Sequence, residues 1–274
     1  MLSVVVFIAL VVASVRAFES PNGSRAVAGD PDLHDGIRVT VNVLQVVPET
    51  DHLVVRMAFD PVGRLAQGHR FLAEPIHVVI AGGAETVDEK LQTGELIAPK
   101  DVNVALGGDI AQYPFDSYDG TIEVSIRGAD GQEVPSVLLG STSVHGYSVQ
   151  AVDPVSEVDA GNAMTFTAQR SKANLIFGFF IMGLMWALTV LAVVMAIGEI
   201  RSGRPVDTPV ISFLGVLLFA FPSIRNSMPN APAIGVLSDF ASYFWCEITL
   251  GLTLVILLTT HVRRRLAADE TPTG

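Results

Sequence analysis

The chain has 274 residues, of which 50% are hydrophobic and only 16% are charged, and its formal net charge is −11. An average soluble domain has about 25% charged residues, so the deficit indicates helices that face lipid. The negative charge excludes a nucleic-acid partner, because a protein that binds the phosphate backbone needs a basic face.

The charge is distributed unevenly along the chain. Residues 19–170 contain 22 acidic and 9 basic side chains, whereas the rest of the chain contains 6 acidic and 8 basic ones. This difference indicates two physical environments, one aqueous and one within a membrane. The single cysteine, Cys246, lies in a hydrophobic run, so the acidic region must be stabilised by packing without a disulfide.

The first hydrophobic run covers residues 1–18, and two interpretations remain open. It is either a transmembrane anchor or a signal peptide cleaved after Ala17. We favour the anchor because no basic residue precedes the run, whereas Arg16 lies near its end. Residues 19–35 are polar and contain Gly and Pro, which predicts a tether.

Residues 36–170 are predicted to form an extracytoplasmic β domain. Apolar and polar residues alternate in short runs separated by Gly, Pro and Asp, as in half-buried strands. This pattern favours an antiparallel, immunoglobulin-like β-sandwich, with a barrel as the alternative. The predicted strands cover residues 37–43, 52–59, 75–81, 85–91, 102–106, 121–127, 134–139, 147–152 and 163–170.

Residues 173–265 are predicted to form a bundle of three transmembrane helices, which gives a membrane protein of α+β class. The spans cover residues 173–197, 208–224 and 241–261. The first and third have the length that a bilayer requires, and the second is slightly shorter. Pro222 is predicted to end or kink the second of these helices. Residues 266–274 are predicted to form a tail.

Arginines predict the orientation of the bundle. Arg201 and Arg204 lie in a short loop, and residues 263–265, all arginine, follow the last span. Loops rich in basic residues stay in the cytoplasm. We therefore expect a multi-pass protein of the plasma (inner) membrane with an extracytoplasmic β domain and a cytoplasmic C-terminus. An uncleaved first segment would make four spans.

The aromatic run before the strand at 121–127 contains four candidate contact residues: Tyr113, Phe115, Asp116 and Tyr118. One interpretation is a recognition loop that presents aromatic side chains to a lipid or a protein partner. The interpretation we favour is a corner motif, in which the tyrosine hydroxyls bond to turn backbone and Phe115 plugs the end of the sandwich.

A second group of candidates lies near one end of the last two spans. Arg225 ends one helix, and Asp239, Tyr243 and Glu247 follow at intervals of four residues, which places them on one helix face. A carboxylate inside a membrane is costly and usually faces protein or water. We favour an Arg225–Asp239 ion pair with Glu247 hydrogen-bonded inside the bundle. The alternative is a proton or ligand site or a contact with a partner helix.

No catalytic, cofactor-binding or metal site is predicted, and the chain is not expected to be an enzyme. The six histidines lack the spacing of a helical metal site, and the cysteines that a zinc site would use are missing. No Gly-x-Ser-x-Gly run is present.

Two runs resemble a known family. Residues 223–235 contain Arg225 and a Pro-x-x-Pro-x-x-Gly turn, and Asp239 and Trp245 follow it. Together with residues 113–116 before a strand, this run resembles DUF4436, an uncharacterised family of membrane proteins from actinobacteria and fungi, over residues 36–265. The resemblance implies the architecture described above, no catalytic residue and no cofactor. For a member of mycobacterial type it also implies an accessory role in Mce-type lipid and fatty-acid importers.

These features give three functional hypotheses. The first is a non-catalytic accessory or scaffold subunit of a cell-envelope membrane complex that moves lipids, with membrane lipids and transporter subunits as partners. Small residues at 178, 183 and 187 would allow close helix contacts. The second is a stand-alone receptor or sensor whose β domain binds a ligand. The third is an intramembrane enzyme or proton-coupled site that uses Glu247.

Overall fold

The structure, a computed structural model, describes Val12, Arg16 and residues 25–68, 70–142, 144–152, 162–204 and 206–269. The predictions for residues 1–18 therefore lie almost entirely outside the described residues. The chain divides into two compact units. The β unit contains Val15–Ile110 and Phe115–Ser171, and the helical unit contains Ala111–Pro114 and Lys172–Gly274.

The β unit is built from strands at every position where the alternating pattern predicts one, and from four short strands that the pattern does not predict. In chain order they are β1 (Arg25–Ala28), β2 (Gly36–Val47), β3 (His52–Val62), β4 (Ala66–Gln67), β5 (Phe71–Leu72), β6 (Ile76–Ala81), β7 (Thr86–Leu91), β8 (Lys100–Ala105), β9 (Gly107–Gly108), β10 (Ser117–Gly128), β11 (Ser136–Thr142), β12 (Tyr147–Val152) and β13 (Asn162–Arg170).

Most of these strands form two sheets. One sheet has the order β1-β11-β2-β3-β8, and the other has the order β12-β13-β10-β6-β7, with β9 added beside β10. The ladder between β2 and β11 is parallel, with Ile37 opposite Ser136, whereas the other ladders are antiparallel. The expectation of a purely antiparallel architecture is wrong at this ladder. The chain crosses from one sheet to the other between β10 and β11, and such a crossover permits a parallel pairing that a hairpin does not.

Both sheets contribute side chains to one hydrophobic core. Along β2 the buried residues alternate with more exposed ones, so that Val39 and Val41 point inward, and Ile122 and Phe166 do the same from the other sheet. This period of two follows from strand geometry, in which successive side chains point to opposite faces.

The predicted tether at residues 19–35 is partly wrong, because it contains strand β1. Arg25–Ala28 pairs with β11 at the edge of its sheet, and Ala28 is buried in the core. Strand β1 has only four residues, of which one alanine is buried, so its alternation of apolar and polar residues is too short to be recognised in the sequence. The strand forms because β11 offers an unpaired edge.

The helical unit contains α1 (Lys172–Arg201), α2 (Thr208–Asn226) and α3 (Phe244–Asp269), with a π-helical turn at Asp239–Tyr243 directly before α3. All three helices are long and apolar enough to cross a membrane. The chain thus has a β-rich N-terminal region followed by three apolar helices, compatible with the α+β class and with a membrane protein. The predicted tail begins too early, because α3 continues to Asp269; residues 270–274 lie outside the described residues.

Pro222 does not end α2, which continues to Asn226. A proline inside a helix removes one N–H donor. Here the final turn is retained because the Ser227 N–H donates to the carbonyls of Ser223 and Ile224, both at 3.1 Å. These bonds satisfy carbonyl groups that a helix C-terminus otherwise leaves without a partner.

We expect Phe166→Ala to lower the free energy of unfolding of the β unit by about 3–5 kcal/mol, because it removes a fully buried ring from the shared core. The matched control is Phe115→Ala, whose ring is 58% exposed and should cost less than about 1 kcal/mol. Hydrogen exchange of the β10 and β13 amides measures both effects. Equal losses in the two variants would show that the burial of Phe166 does not decide stability.

Candidate functional site

The loop between α2 and α3 surrounds a buried ion pair. The Arg225 guanidinium donates from Nε to Asp239 Oδ1 and from Nη2 to Asp239 Oδ2, each at 2.7 Å. Its remaining donors reach the loop itself, with Nη1 at 2.8 Å from the Pro232 carbonyl and Nη2 at 3.3 Å from the Ala233 carbonyl. A two-pronged guanidinium–carboxylate contact fixes direction as well as distance, so this pair determines the path of the loop.

The carboxylate side of the pair is satisfied as well. Asp239 Oδ2 accepts hydrogen bonds from the backbone N–H groups of Gly235 at 2.8 Å and Val236 at 3.2 Å. Both Arg225 and Asp239 are almost completely buried. Removing two charges from water is costly unless their hydrogen-bonding capacity is used, and here the loop backbone uses it.

Tyr113 completes the same loop from a distant part of the chain. Residues Ala111–Pro114 belong to the helical unit, although they precede β10 in the sequence. The Tyr113 hydroxyl donates to the Pro229 carbonyl at 3.1 Å, and the Ser238 N–H donates to the Tyr113 carbonyl at 3.1 Å. Tyr113 is buried and packs in the core of the helical unit. It therefore acts as a structural residue of this loop and does not present its ring outward.

Glu247 is not hydrogen-bonded within the unit in the way we expected. Its Oε1 atom is buried and has no hydrogen-bond partner among the described residues. The π-helical turn at Asp239–Tyr243 changes the local number of residues per turn, so the spacing of four does not stack Asp239 directly over Tyr243 and Glu247. Asp239 thus points into the loop, whereas Tyr243 and Glu247 are only partly buried.

Apolar side chains cover the outside of this loop and the start of the following helix. Ile234, Leu237, Phe240 and Trp245 are all exposed, while the ion pair is enclosed. Charges inside and large apolar groups outside are the reverse of an ordinary water-facing surface. A loop of this kind is stable when lipid or another protein surrounds it.

The β unit has its own buried ion pair. Arg170 Nε lies 2.8 Å from Asp116 Oδ2 and 3.1 Å from Oδ1, and Nη2 lies 2.8 Å from Oδ2. The Tyr118 hydroxyl donates to Asp116 Oδ2 at 2.7 Å. The Arg170 guanidinium also lies over the Tyr147 ring, 4.7 Å from its centroid, in cation–π geometry. This cluster joins the end of β13 to the beginning of β10.

The cluster shifts the pKa values of two of its members. Burial, followed by the hydrogen bond to the Asp116 carboxylate, raises the pKa of Tyr118 well above its ordinary value. Burial acts to lower the pKa of Arg170, but the hydrogen bond to Asp116 and the electrostatic interactions with Tyr147, Asp116 and Tyr118 together outweigh burial, so the net shift is upward. Both shifts keep the tyrosine neutral and the arginine charged.

The proposed corner motif is partly wrong. Phe115 does not plug the end of a sandwich, because its ring is largely exposed. Tyr118 bonds to a carboxylate and not to turn backbone. The sequence interpretation also missed Arg170 and Tyr147, whose strands bring them directly opposite each other. In the sequence, Arg170 is distinguished only as a basic residue next to an apolar span.

In the described part of the chain, no group of three or more His, Cys, Asp or Glu side chains is arranged to hold a metal ion. Both polar clusters are built around a buried Arg–Asp ion pair, and each pair holds a loop or the end of a strand in place.

Two family matches divide the chain at the same point as the structure. The family described as "Domain of unknown function (DUF4436)" matches residues 27–167, and the one described as "Domain of unknown function (DUF8686)" matches residues 170–264. No curated protein matches the chain. Because the first match covers more than half of the chain, the protein belongs to the DUF4436 family. The motif at residues 223–235 falls within the second match, so the extent of the DUF4436 resemblance, given above as residues 36–265, is corrected to residues 27–167.

We expect Asp239→Asn to destabilise the α2–α3 loop by about 3–5 kcal/mol, because it leaves the Arg225 charge buried without its counterion. Hydrogen exchange of the backbone amides in residues 227–238 measures the opening of this loop. Asp207→Asn is the matched control, since Asp207 is exposed and its side chain makes no capping bond at the start of α2. Equal exchange in both variants would show that the pair does not hold the loop.

The raised pKa of Tyr118 predicts a pH dependence of the β unit. The unfolded phenol ionises near its ordinary pKa of 10.0, whereas the folded one stays neutral. The stabilising contribution is therefore complete below pH 10 and is lost as the pH rises above it. Denaturant unfolding followed by circular dichroism should show a steeper alkaline loss of stability in the native protein than in Tyr118→Phe. Parallel pH curves would contradict this assignment.

Proposed function

We propose that this member of the DUF4436 family is a non-catalytic accessory subunit of a cell-envelope membrane complex. The observation that carries the proposal is the buried Oε1 atom of Glu247, which has no hydrogen-bond partner among the described residues of its own chain. In hydrocarbon an unpaired carboxylate is costly, and such groups usually meet another protein group or water. The Glu247 side chain as a whole is only partly buried, so a donor from a neighbouring subunit would have access to the carboxylate group.

The contrast with Arg225 and Asp239 strengthens this proposal. That pair uses its hydrogen-bonding groups within one chain, so the fold can satisfy buried charge where it needs to. Glu247 lies in the same unit and on the helix that follows Asp239. The different treatment of two carboxylates in one unit supports a role for Glu247 outside the chain.

The hydroxyl groups of the helices favour an accessory role for this protein and not a transport pathway through it. The hydroxyl groups of Thr189, Thr253, Thr259 and Thr260 each donate to a carbonyl four residues earlier in their own helix, at 2.6 to 2.9 Å. A hydroxyl bonded to its own helix is not available to line a polar path. The apolar faces of the helices would then contact lipid or the membrane part of a transporter.

We propose an orientation in which the arginine-rich end of the helices is cytoplasmic. Arg201, Arg204, Arg263 and Arg265 lie there, and basic loops stay inside. Arg264 lies there too, but it donates to two carbonyls at the C-terminal end of α1, at 2.7 and 3.3 Å. The β unit, which precedes α1, would be extracytoplasmic, and the membrane would be the plasma (inner) membrane.

For the β unit we propose an immunoglobulin-like sandwich that binds an extracytoplasmic partner. Two sheets with one shared core and no cysteine are suited to a rigid binding module. The resemblance to mycobacterial-type members of the family favours a Mce-type lipid or fatty-acid importer as the complex. A transporter of this kind would supply both the membrane partner and the extracytoplasmic one.

The alternative is a protonatable site at Glu247 that acts within the chain. A neutral carboxyl would tolerate its apolar surroundings without a partner, because the cost of burial falls mainly on the charged form. Glu247→Gln separates the two functions, since glutamine keeps the shape of the side chain and removes its ability to carry charge.

We expect the native protein, purified in a mild detergent at native expression level, to retain transporter subunits that Glu247→Gln loses by about tenfold or more. Quantitative mass spectrometry of the eluate measures this loss. Glu199→Gln is the matched control, because Glu199 accepts from the Asp207 backbone within its own chain. Partners retained by Glu247→Gln would contradict a charged contact, and a native protein without partners would sink the accessory function.

A further inference from the structure

Three basic side chains form one row across the second sheet. Arg127 on β10 lies opposite His77 on β6, and His77 lies opposite Lys90 on β7. Directly opposite residues of antiparallel strands share a face, and neighbouring strands are about 4.8 Å apart, so Arg127 and Lys90 start about 10 Å apart. Like charges placed in such a row repel each other unless something of opposite charge lies between them.

A cleft of about 370 Å³ lies at this row. The three basic residues line it together with Gln92, Pro75 and the turn that follows β10 at Gly128. The row therefore borders a space large enough for a small ligand, next to side chains that can donate hydrogen bonds.

Lys90 and Arg127 differ in their pairing from most of the basic residues of the β unit. His77 Nε2 lies 2.6 Å from Asp88 Oδ1, so a carboxylate contacts the middle position of the row, and Glu133 lies opposite Arg127. Lys90 and Arg127 make no ion pair and no side-chain hydrogen bond with any other described residue. In contrast, five basic side chains of the unit pair with carboxylates: Arg56, Arg64, Arg70, Lys100 and Arg170.

We propose that this cleft binds a phosphate group. Lys90 and Arg127 make no ion pair with any described residue, and their two positive charges match the double negative charge of inorganic phosphate or of a phosphate monoester. Arginine contacts two oxygens of such a group in its own plane, and lysine adds a point charge. The β unit has more acidic than basic residues, so most of its surface repels anions. The row of basic side chains is a place where an anion is attracted.

The phosphate could belong to a free solute or to a lipid headgroup, and the chemistry is the same in both. The site lies within the β unit, and it does not depend on Glu247 or on any partner of the helices. The proposal therefore goes beyond the accessory function and can fail or succeed separately from it.

The test is calorimetric titration of the full chain in detergent with two probes, inorganic phosphate and short-chain phosphatidic acid, with short-chain phosphatidylcholine as the blank. We expect saturable binding that K90Q/R127Q weakens by at least about tenfold, since it removes two charge-assisted contacts. The matched control is R25Q/R56Q, which removes the same charge from the other sheet and should bind like the native protein.

A third variant, K90R/R127K, keeps both charges and should retain binding, which separates loss of charge from loss of fold. Tighter binding of phosphatidic acid than of phosphate, lost in K90Q/R127Q, would assign the site to a headgroup. Equal binding of both probes would assign it to phosphate as such. Unchanged binding in K90Q/R127Q, or no saturable binding of either probe by the native protein, would overturn the proposal.

Discussion

The buried pair between Arg225 and Asp239 is the contact on which the shape of the helical unit near α2 and α3 depends. Two buried charges need partners for their donors and acceptors, and the backbone of the intervening loop supplies them. The loop is therefore wrapped around the pair, and its apolar side chains are left outside. Tyr113 then fixes the same loop from the far end of the sequence.

The β unit obeys the same constraint with different residues. Asp116 and Arg170 are each within two residues of a point where the chain passes to the helical unit. Their pair, with the Tyr118 hydroxyl, fixes the beginning of β10 relative to the end of β13. Each unit thus has one fully buried ion pair within its described residues, and each pair stabilises a place where regular structure alone would leave the chain unsupported.

Much of this architecture could be predicted from the sequence, because period-two alternation and long apolar runs are local signals. Strands such as β2 and helices such as α1 repeat their pattern over many residues. Strand β9 has two glycines and no periodicity, and β1 forms only because β11 offers an edge to it. The parallel pairing of β2 with β11 depends on a crossover between sheets, which alternation along one strand does not encode.

The contacts of the candidate sites could likewise be predicted where they are local in sequence and not where they join distant parts of the chain. Arg225 and Asp239 could be paired from the sequence, because a short loop brings the ends of consecutive helices together. Arg170 and Asp116 are 54 positions apart, and only the register of β10 and β13 brings their strands side by side. The role of Tyr113 could not be predicted, because its hydrogen-bond acceptor lies 116 positions away in the other family match.

Against these satisfied pairs, the charged groups that the chain leaves without a partner become informative, and their surroundings decide what each can accept. Glu247 lies within an apolar helix, where a solvated ion cannot easily reach it, and the proposed function gives it a donor from another protein segment. Lys90 and Arg127 lie in an open cleft, where water stabilises their charges until a ligand arrives. A diffusible anion can therefore reach Lys90 and Arg127, but it cannot easily reach Glu247. We therefore propose a protein partner for Glu247 and a phosphate ligand for Lys90 and Arg127.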